Sequence, residues 1–151
     1  MWNSHSQKVT ILIAEDDDGH AELIREHLEE AGISNPIIRF TNGQEAWDFL
    51  SLNGTGPHRH EKQPYLLLLD IRMPKMDGIE LLRRVKADPA LHSIPVIMLT
   101  TTNDPREVKA CYDLGCNSYV TKPVNYQQFA EALKRLGLFI VIMQVTPINH
   151  Q

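Results

Sequence analysis

The sequence predicts an α/β fold, a parallel sheet of five strands wound on both sides by helices. Three observations predict it. Short apolar runs, Val9-Thr10-Ile11-Leu12-Ile13-Ala14, Tyr65-Leu66-Leu67-Leu68-Leu69 and Val96-Ile97-Met98-Leu99, read as strands buried on both faces. Between them lie segments with apolar residues at helical spacing, opened by capping residues and stopped by glycine or proline. Each strand-like run ends on a polar residue: Glu15 and Asp16, Asp70, Thr100 and Lys122.

The elements follow in order. After the first strand, Asp17 or Asp18 caps a helix reaching about Ala31, with Ala21, Ile24, Leu28 and Ala31 as its stripe and Gly32 as its stop. Pro36 to Phe40 is a short second strand. Asn42 caps the next helix with Glu45 at N3, and Ala46, Phe49 and Leu50 point inward. Residues 53–64 are a loop by composition, and loops of that length are usually functional or mobile. His58 and His60 form a His-x-His pair there without a further clear metal ligand. The third strand ends at Asp70. A helix from about Gly78 turns Ile79, Leu82 and Val85 inward and ends before Asp88-Pro89. The fourth strand is Ile94 to Leu99. Asp104, with Pro105 at N1 and Glu107 at N3, opens a helix that buries Val108, Cys111 and Leu114 and ends at Gly115. The fifth strand is about Asn117 to Thr121. Asn125, with Gln128 at N3, opens the last helix, whose stripe is Phe129, Leu133 and Leu136 and whose stop is Gly137.

These boundaries divide the chain into a polar tail at 1–8, one domain at 9–137 and an extension at 138–151. Leu138 to Val145 is apolar and surplus to five βα units. It either folds back on its own domain or makes a homodimer contact, because such a segment left wet is an aggregation hazard.

Apolar residues make up 42% and charged residues 23% of the 151, the balance of one ordinary globular domain. A net charge of −4 without a block of like charge argues against a nucleic-acid partner. No apolar stretch reaches membrane-spanning length and residues 1–8 lack a signal-peptide core, so the expectation is a cytoplasmic protein with no membrane contact. Cys111 and Cys116 fit reduced thiols in that compartment.

In an open parallel sheet, ligands bind outside the carboxyl ends of the strands. That edge receives three carboxylates, a hydroxyl and an ammonium. Acids crowded together ionise together only with a cation present. An all-oxygen set favours Mg2+ before Ca2+. Which of Asp16, Asp17 and Asp18 joins the set rests on register. Asp16 is the choice, because the other two then fall in the helix-capping turn.

Four motifs, in order and at strand ends, carry a resemblance: Ala-Glu-Asp at 14–16, Asp-Ile-Arg-Met-Pro-Lys-Met-Asp-Gly at 70–78, Leu-Thr-Thr at 99–101 and Tyr-Val-Thr-Lys-Pro at 119–123. Over roughly residues 8–137 the chain resembles the receiver domain of the two-component response-regulator family. The loop at 53–64, the stretch Tyr-Asp-Leu-Gly-Cys-Asn-Ser-Tyr at 112–119 and the apolar tail resemble stand-alone regulators paired with phytochrome-type histidine kinases. The resemblance implies the flavodoxin-like strand order 2-1-3-4-5. It implies that Asp70 accepts a phosphoryl group from a histidine kinase. Mg2+ would be held by Asp16 directly, Glu15 through a water, Asp70, and the main-chain carbonyl of Arg72. Lys122 and Thr100 would act on the phosphoryl oxygens, and Thr100 with Tyr119 would form the switch. Pro123 resembles the family's cis peptide, which would aim Lys122. The output would be a partner protein or a dimerisation event.

The residue chemistry agrees, since a carboxylate can serve as a covalent nucleophile and yield a hydrolysable acyl phosphate. Two rival enzyme or carrier readings fit poorly. A haloacid-dehalogenase phosphatase wants an acid two residues after the nucleophile, where Arg72 stands. A flavin carrier wants a hydroxyl- and glycine-rich phosphate loop where Glu15 to Asp18 are four consecutive acids. A third reading, a scaffold that works without phosphorylation, predicts that Asp70→Asn leaves function intact.

Overall fold

The computed structural model describes residues 8–122, 127, 131 and 134–137. The elements are β1 (Thr10–Ala14), α1 (Asp18–Glu30), β2 (Ile37–Phe40), α2 (Gly43–Ser51), β3 (Tyr65–Leu69), α3 (Gly78–Ala87), β4 (Val96–Thr100), α4 (Pro105–Leu114) and β5 (Ser118–Thr121). All strand pairs are parallel, and the sheet runs β2-β1-β3-β4-β5. Fold class and strand order are those expected. The helix that Asn125, Gln128, Phe129 and Leu133 were expected to build, the Pro123 peptide bond and the extension at 138–151 lie outside the described residues.

β1, β3 and β4 are buried along their whole length, whereas β2 and β5 are half-exposed edges. Side chains alternate along a strand, so a doubly covered sheet divides its core in two. Leu12, Leu67, Leu69 and Met98 face one layer and meet Phe49 of α2, Leu82 of α3 and Cys111 of α4. Ile11, Ile13, Leu66, Leu68, Ile97 and Leu99 face the other, under Ile24 and Leu28 of α1 and under Leu136. Each fully buried aliphatic side chain stabilises the fold by roughly 1.5–3 kcal/mol.

The helix starts follow the capping residues. Asp17, rather than Asp18, caps α1 by accepting from the His20 N–H at 2.9 Å. Asn42 accepts from Glu45 N–H at 2.8 Å, and Glu45 reaches back one residue further than a capping box requires, to Thr41 N–H. Asp77 caps α3.

The structure shifts several details. α3 buries Leu81 as well as Leu82 and Val85, while Ile79 is only partly covered, because α3 lies wedged between α2 and α4. α4 buries Cys111 alone, with Leu114 partly covered, since it packs near the sheet edge. The loop at 53–64 is tied down: Arg59 donates to the Leu50 carbonyl at 2.7 Å and Gln63 to the Lys8 carbonyl at 2.7 Å. His58 Nε2 hydrogen-bonds the Asn53 carbonyl at 2.9 Å, and among the described residues neither His58 nor His60 joins a cluster of three or more metal-ligating side chains. Both cysteines are free and buried.

Two glycines let the site loop approach its neighbours. A Cβ on Gly78 would lie 2.0 Å from the Asp70 carbonyl oxygen, and one on Gly43 would lie 2.0 Å from that of Met76. The loop between β3 and α3 is thus pressed against its own strand end and against the start of α2.

Candidate functional site

The register delivers the polar residues to one place. Ala14 pairs with Leu69, so Glu15 and Asp70 leave the sheet side by side, and Asp70 N–H donates to the Ala14 carbonyl at 3.1 Å. Across the gap, Thr100 ends β4 and Lys122 follows β5, with Lys122 N–H donating to the Thr100 carbonyl at 2.6 Å. Glu15 is fixed from behind: its carbonyl accepts from Arg39 Nε at 3.0 Å and Nη2 at 2.7 Å, while Arg39 Nη1 holds Asp18 at 2.7 Å.

Three carboxylates converge. Glu15, Asp16 and Asp70 each offer an oxygen within 4.8 Å of the other two. Glu15 and Asp70 are buried and Asp16 is exposed. Lys122, also buried, hydrogen-bonds Glu15 Oε1, lies 3.5 Å from Asp70 Oδ2 and donates to His20 Nδ1 at 3.1 Å. Glu15 Oε2 accepts from Asp17 N–H at 3.1 Å, and Asp70 Oδ1 from Ile71 N–H at 2.8 Å. Burial pushes the Glu15 carboxyl up to about 7, even though the hydrogen bond and charge of Lys122 pull the other way. The Thr100 hydroxyl is fully buried and has no hydrogen-bond partner among the described residues, a costly state for a polar group.

Beside the carboxylates opens a cleft of about 460 Å³, bordered by Asp16, Arg72, Asp77 and Glu107. Arg72 Nη2 meets both Glu107 oxygens at 3.2 Å, and Thr102 Oγ1 donates to Glu107 at 2.8 Å. The Tyr119 hydroxyl donates to the Thr102 carbonyl at 2.8 Å. Burial raises the Tyr119 phenol to about 12, so it stays a donor.

Beside that geometry, residues 11–134 of the sequence match the family model of the response regulator receiver domain. The chain belongs to the response-regulator receiver family. Receiver domains act with histidine kinases as phosphoacceptor signalling modules. A solved receiver domain from Rhodospirillum rubrum is 47% identical, with TM-score 0.84 over 91% of this chain and 96% of that one. The phosphorylated cyanobacterial phytochrome response regulator RcpA gives TM-score 0.83 at 31% identity, over 93% of this chain and 99% of that one. Response regulator Rcp1 of Synechocystis is 34% identical over 85% of this chain and 86% of its own length. A crystal structure of the Mn2+-bound form of Rcp1 gives TM-score 0.80 at 31% identity, over 94% of this chain and 99% of that one.

The donor set of this receiver suits a divalent cation. All three groups are carboxylates, and a hard ion takes oxygen ligands. Burial opposes ionisation of Glu15, and an added positive charge would restore it.

The structure brings Glu15, Asp16, Asp70 and Lys122 together. Arg72, whose expected part is its main-chain carbonyl, directs its side chain to Glu107, and the Tyr119 hydroxyl bonds the Thr102 carbonyl. Two participants escaped the sequence reading. Glu107 does not complete the cap of α4: Asp104 alone accepts, from Arg106 N–H at 2.9 Å, and the Glu107 carboxylate is drawn to Arg72 and Thr102. His20 stands in the first turn of α1 and has no sequence signal of its own. Only the Asp17 cap, which fixes the backbone of His20, points to it. Among the described residues, no helix is long and apolar enough to cross a membrane.

Proposed function

We propose that this receiver takes a phosphoryl group on Asp70 from the phosphohistidine of a histidine kinase. The observation that carries the reading is the convergence of three carboxylates on the buried Lys122. An Asp70 carboxylate oxygen bonds to phosphorus as the phosphorus–nitrogen bond to the imidazole breaks, and the departing imidazole takes its proton from water. Mg2+ would be held by Asp16 and Asp70 directly, by Glu15 through a water and by the Arg72 main-chain carbonyl. Both Glu15 oxygens are already engaged, by Lys122 and by Asp17 N–H, which favours an indirect role for that residue. The bound ion supplies charge neutralisation at the phosphoryl oxygens. Lys122 offers its ammonium to a second phosphoryl oxygen. Thr100 donates its hydroxyl to a third, and the lack of another partner for that hydroxyl among the described residues supports the assignment.

Thr100 moving toward the phosphoryl group opens space for Tyr119, which must then loosen from the Thr102 carbonyl. The result is a population shift in the surface built by α4 and β5. Likeness to phytochrome response regulators supports a phytochrome-type kinase as the partner and a cytoplasmic site of action. The receiver unit spans 9–137, after a polar tail at 1–8. In the homodimer, Leu138 to Val145 of the extension at 138–151 joins the face that runs from the fourth helix to the fifth. A two-fold pair is the commonest closed way to cover such a segment.

The test is labelling by a small phosphodonor with Mg2+. Label is expected on the native chain and lost in Asp70→Asn and with EDTA. Undiminished label in either control rejects the mechanism. Sedimentation of the full chain and of a form ending at Gly137 tests the dimer, and a full-length chain that stays monomeric with and without phosphoryl mimic rejects it.

A further inference from the structure

We propose that His20 is a positioning residue for Lys122, an acceptor that holds the ammonium in place at the phosphoacceptor site. The inference rests on the phosphoryl-transfer reading above, because it assigns Lys122 its place in that reaction.

An ammonium has three donors and no acceptor. Among the described residues, three groups face Lys122 Nζ: Glu15 Oε1, His20 Nδ1 at 3.1 Å and Asp70 Oδ2 at 3.5 Å. The first two lie within hydrogen-bond reach and the third is at its limit. The Lys122 side chain is 3% exposed, so water has little room to replace a lost acceptor. His20 can accept at Nδ1 only as the neutral tautomer with its proton on Nε2.

The ring does not reach the site by chance of rotamer alone. Asp17 accepts from His20 N–H at 2.9 Å and so fixes the backbone from which the ring projects. The Glu15 carboxylate in turn accepts from Asp17 N–H. Glu15, Asp17, His20 and Lys122 therefore close a ring of contacts around the start of α1. The His20 side chain is 42% exposed, and its Nδ1 also lies 3.9 Å from Glu15 Oε2.

Two acceptors on one side keep the ammonium aligned, with its third donor directed toward Asp70. Removing the imidazole acceptor leaves a buried donor unmet, and Lys122 then samples other rotamers. The reactive alignment is populated less, and phosphoryl transfer slows.

The experiment compares His20→Leu with His20→Asn in the full chain. Asn places its carbonyl oxygen at the same bond distance from the backbone as Nδ1, so it keeps the acceptor. Leu keeps bulk and is the better helix former of the two. A merely structural role for His20 thus ranks Leu at or above Asn, and a positioning role ranks Asn above Leu. The readouts are the maximal labelling rate at saturating small phosphodonor with Mg2+, and the Lys122 ammonium signal by NMR in metal-free protein. We expect His20→Leu to lower the maximal rate several-fold at unchanged half-saturating donor, and to broaden the ammonium signal. His20→Asn should recover most of both. Equal rates in native and His20→Leu protein, or no recovery in His20→Asn, overturn the proposal. A native chain that takes no label refutes the phosphoryl-transfer reading instead. The metal-free ammonium signal still decides the contact in that case: a signal equally sharp in His20→Leu overturns it.

Discussion

Two ion pairs flank Asp70, and they differ in kind. On the β1–α1 side, Lys122 and Glu15 are 3% and 2% exposed. On the β3–α4 side, Arg72 and Glu107 are 67% and 25% exposed. Breaking a buried pair strands a desolvated charge and costs about 3–5 kcal/mol, whereas an exposed pair is worth about 0–1 kcal/mol. The first side is therefore the part of the site that the fold must keep. The second is a rim that can vary in sequence and in conformation. Chemistry common to the family belongs on the first, and adjustment of one member belongs on the second.

Asp70→Asn is the largest break expected, because under the proposed mechanism it removes the nucleophile that both sides flank. Labelling should fall to background while the fold persists, since Asn keeps an oxygen for the Ile71 N–H. A thermal melt beside the labelling assay checks both halves of that statement.

Lys122→Ala ranks next and tests the buried side. Loss of one preorganised charge on a transferring group costs about 10²-fold in rate. Lys75→Ala should change labelling little, because Lys75 sits exposed on the turn at positive φ. Stability of the Lys122 variant should drop by less than the ~3–5 kcal/mol of a stranded charge. Burial already pushes the Glu15 carboxyl up to about 7, so it takes up a proton once the ammonium is gone. Chemical denaturation of the two lysine variants gives the comparison directly. Equal, small effects from both would remove Lys122 from the mechanism.

The same contrast explains what the sequence made legible. Strands β1, β3 and β4 are buried on both faces, so their side chains must be apolar without interruption, and the first polar residue after each run marks the sheet edge. Glu15, Asp70 and Thr100 were found that way, whereas Lys122 follows the half-exposed β5 and was legible through the Tyr-Val-Thr-Lys-Pro motif. Caps were legible where a side chain meets a backbone N–H three residues on, as at Asn42. Contacts between elements left no periodic trace. Arg72 and Glu107 are 35 residues apart, Lys122 and His20 are 102 apart, and only packing of the loops unites them. Leu81 was missed because α3 touches two helices as well as the sheet, which widens its apolar face beyond one stripe.

Arg72→Ala addresses the exposed side. Arg72 borders the cleft beside Asp16, and under the proposed mechanism that cleft offers water an approach to an aspartyl phosphate. Its side chain can screen that water by bulk and by charge. The dephosphorylation rate should change by up to about fivefold, the equivalent of roughly 1 kcal/mol, with labelling retained. Decay curves identical to native would take Arg72 out of that role.

The smallest effect expected comes from a double-mutant cycle on the rim, Arg72→Ala with Glu107→Gln. Glu107 has two claims on it, the Arg72 guanidinium at 3.2 Å and the Thr102 hydroxyl at 2.8 Å. Gln keeps an acceptor for Thr102 and removes the charge that Arg72 meets. The coupling in folding free energy should thus lie below about 1 kcal/mol, and it should shrink as salt is added, since an exposed pair is screened. The native value of dephosphorylation should shift with the same sign in both single variants, because either one frees the loop after β3 from the start of α4. A coupling of several kcal/mol, insensitive to salt, would mean that Arg72 and Glu107 form a buried-type pair in solution. The division of the site into a fixed side and an adjustable rim would then fail.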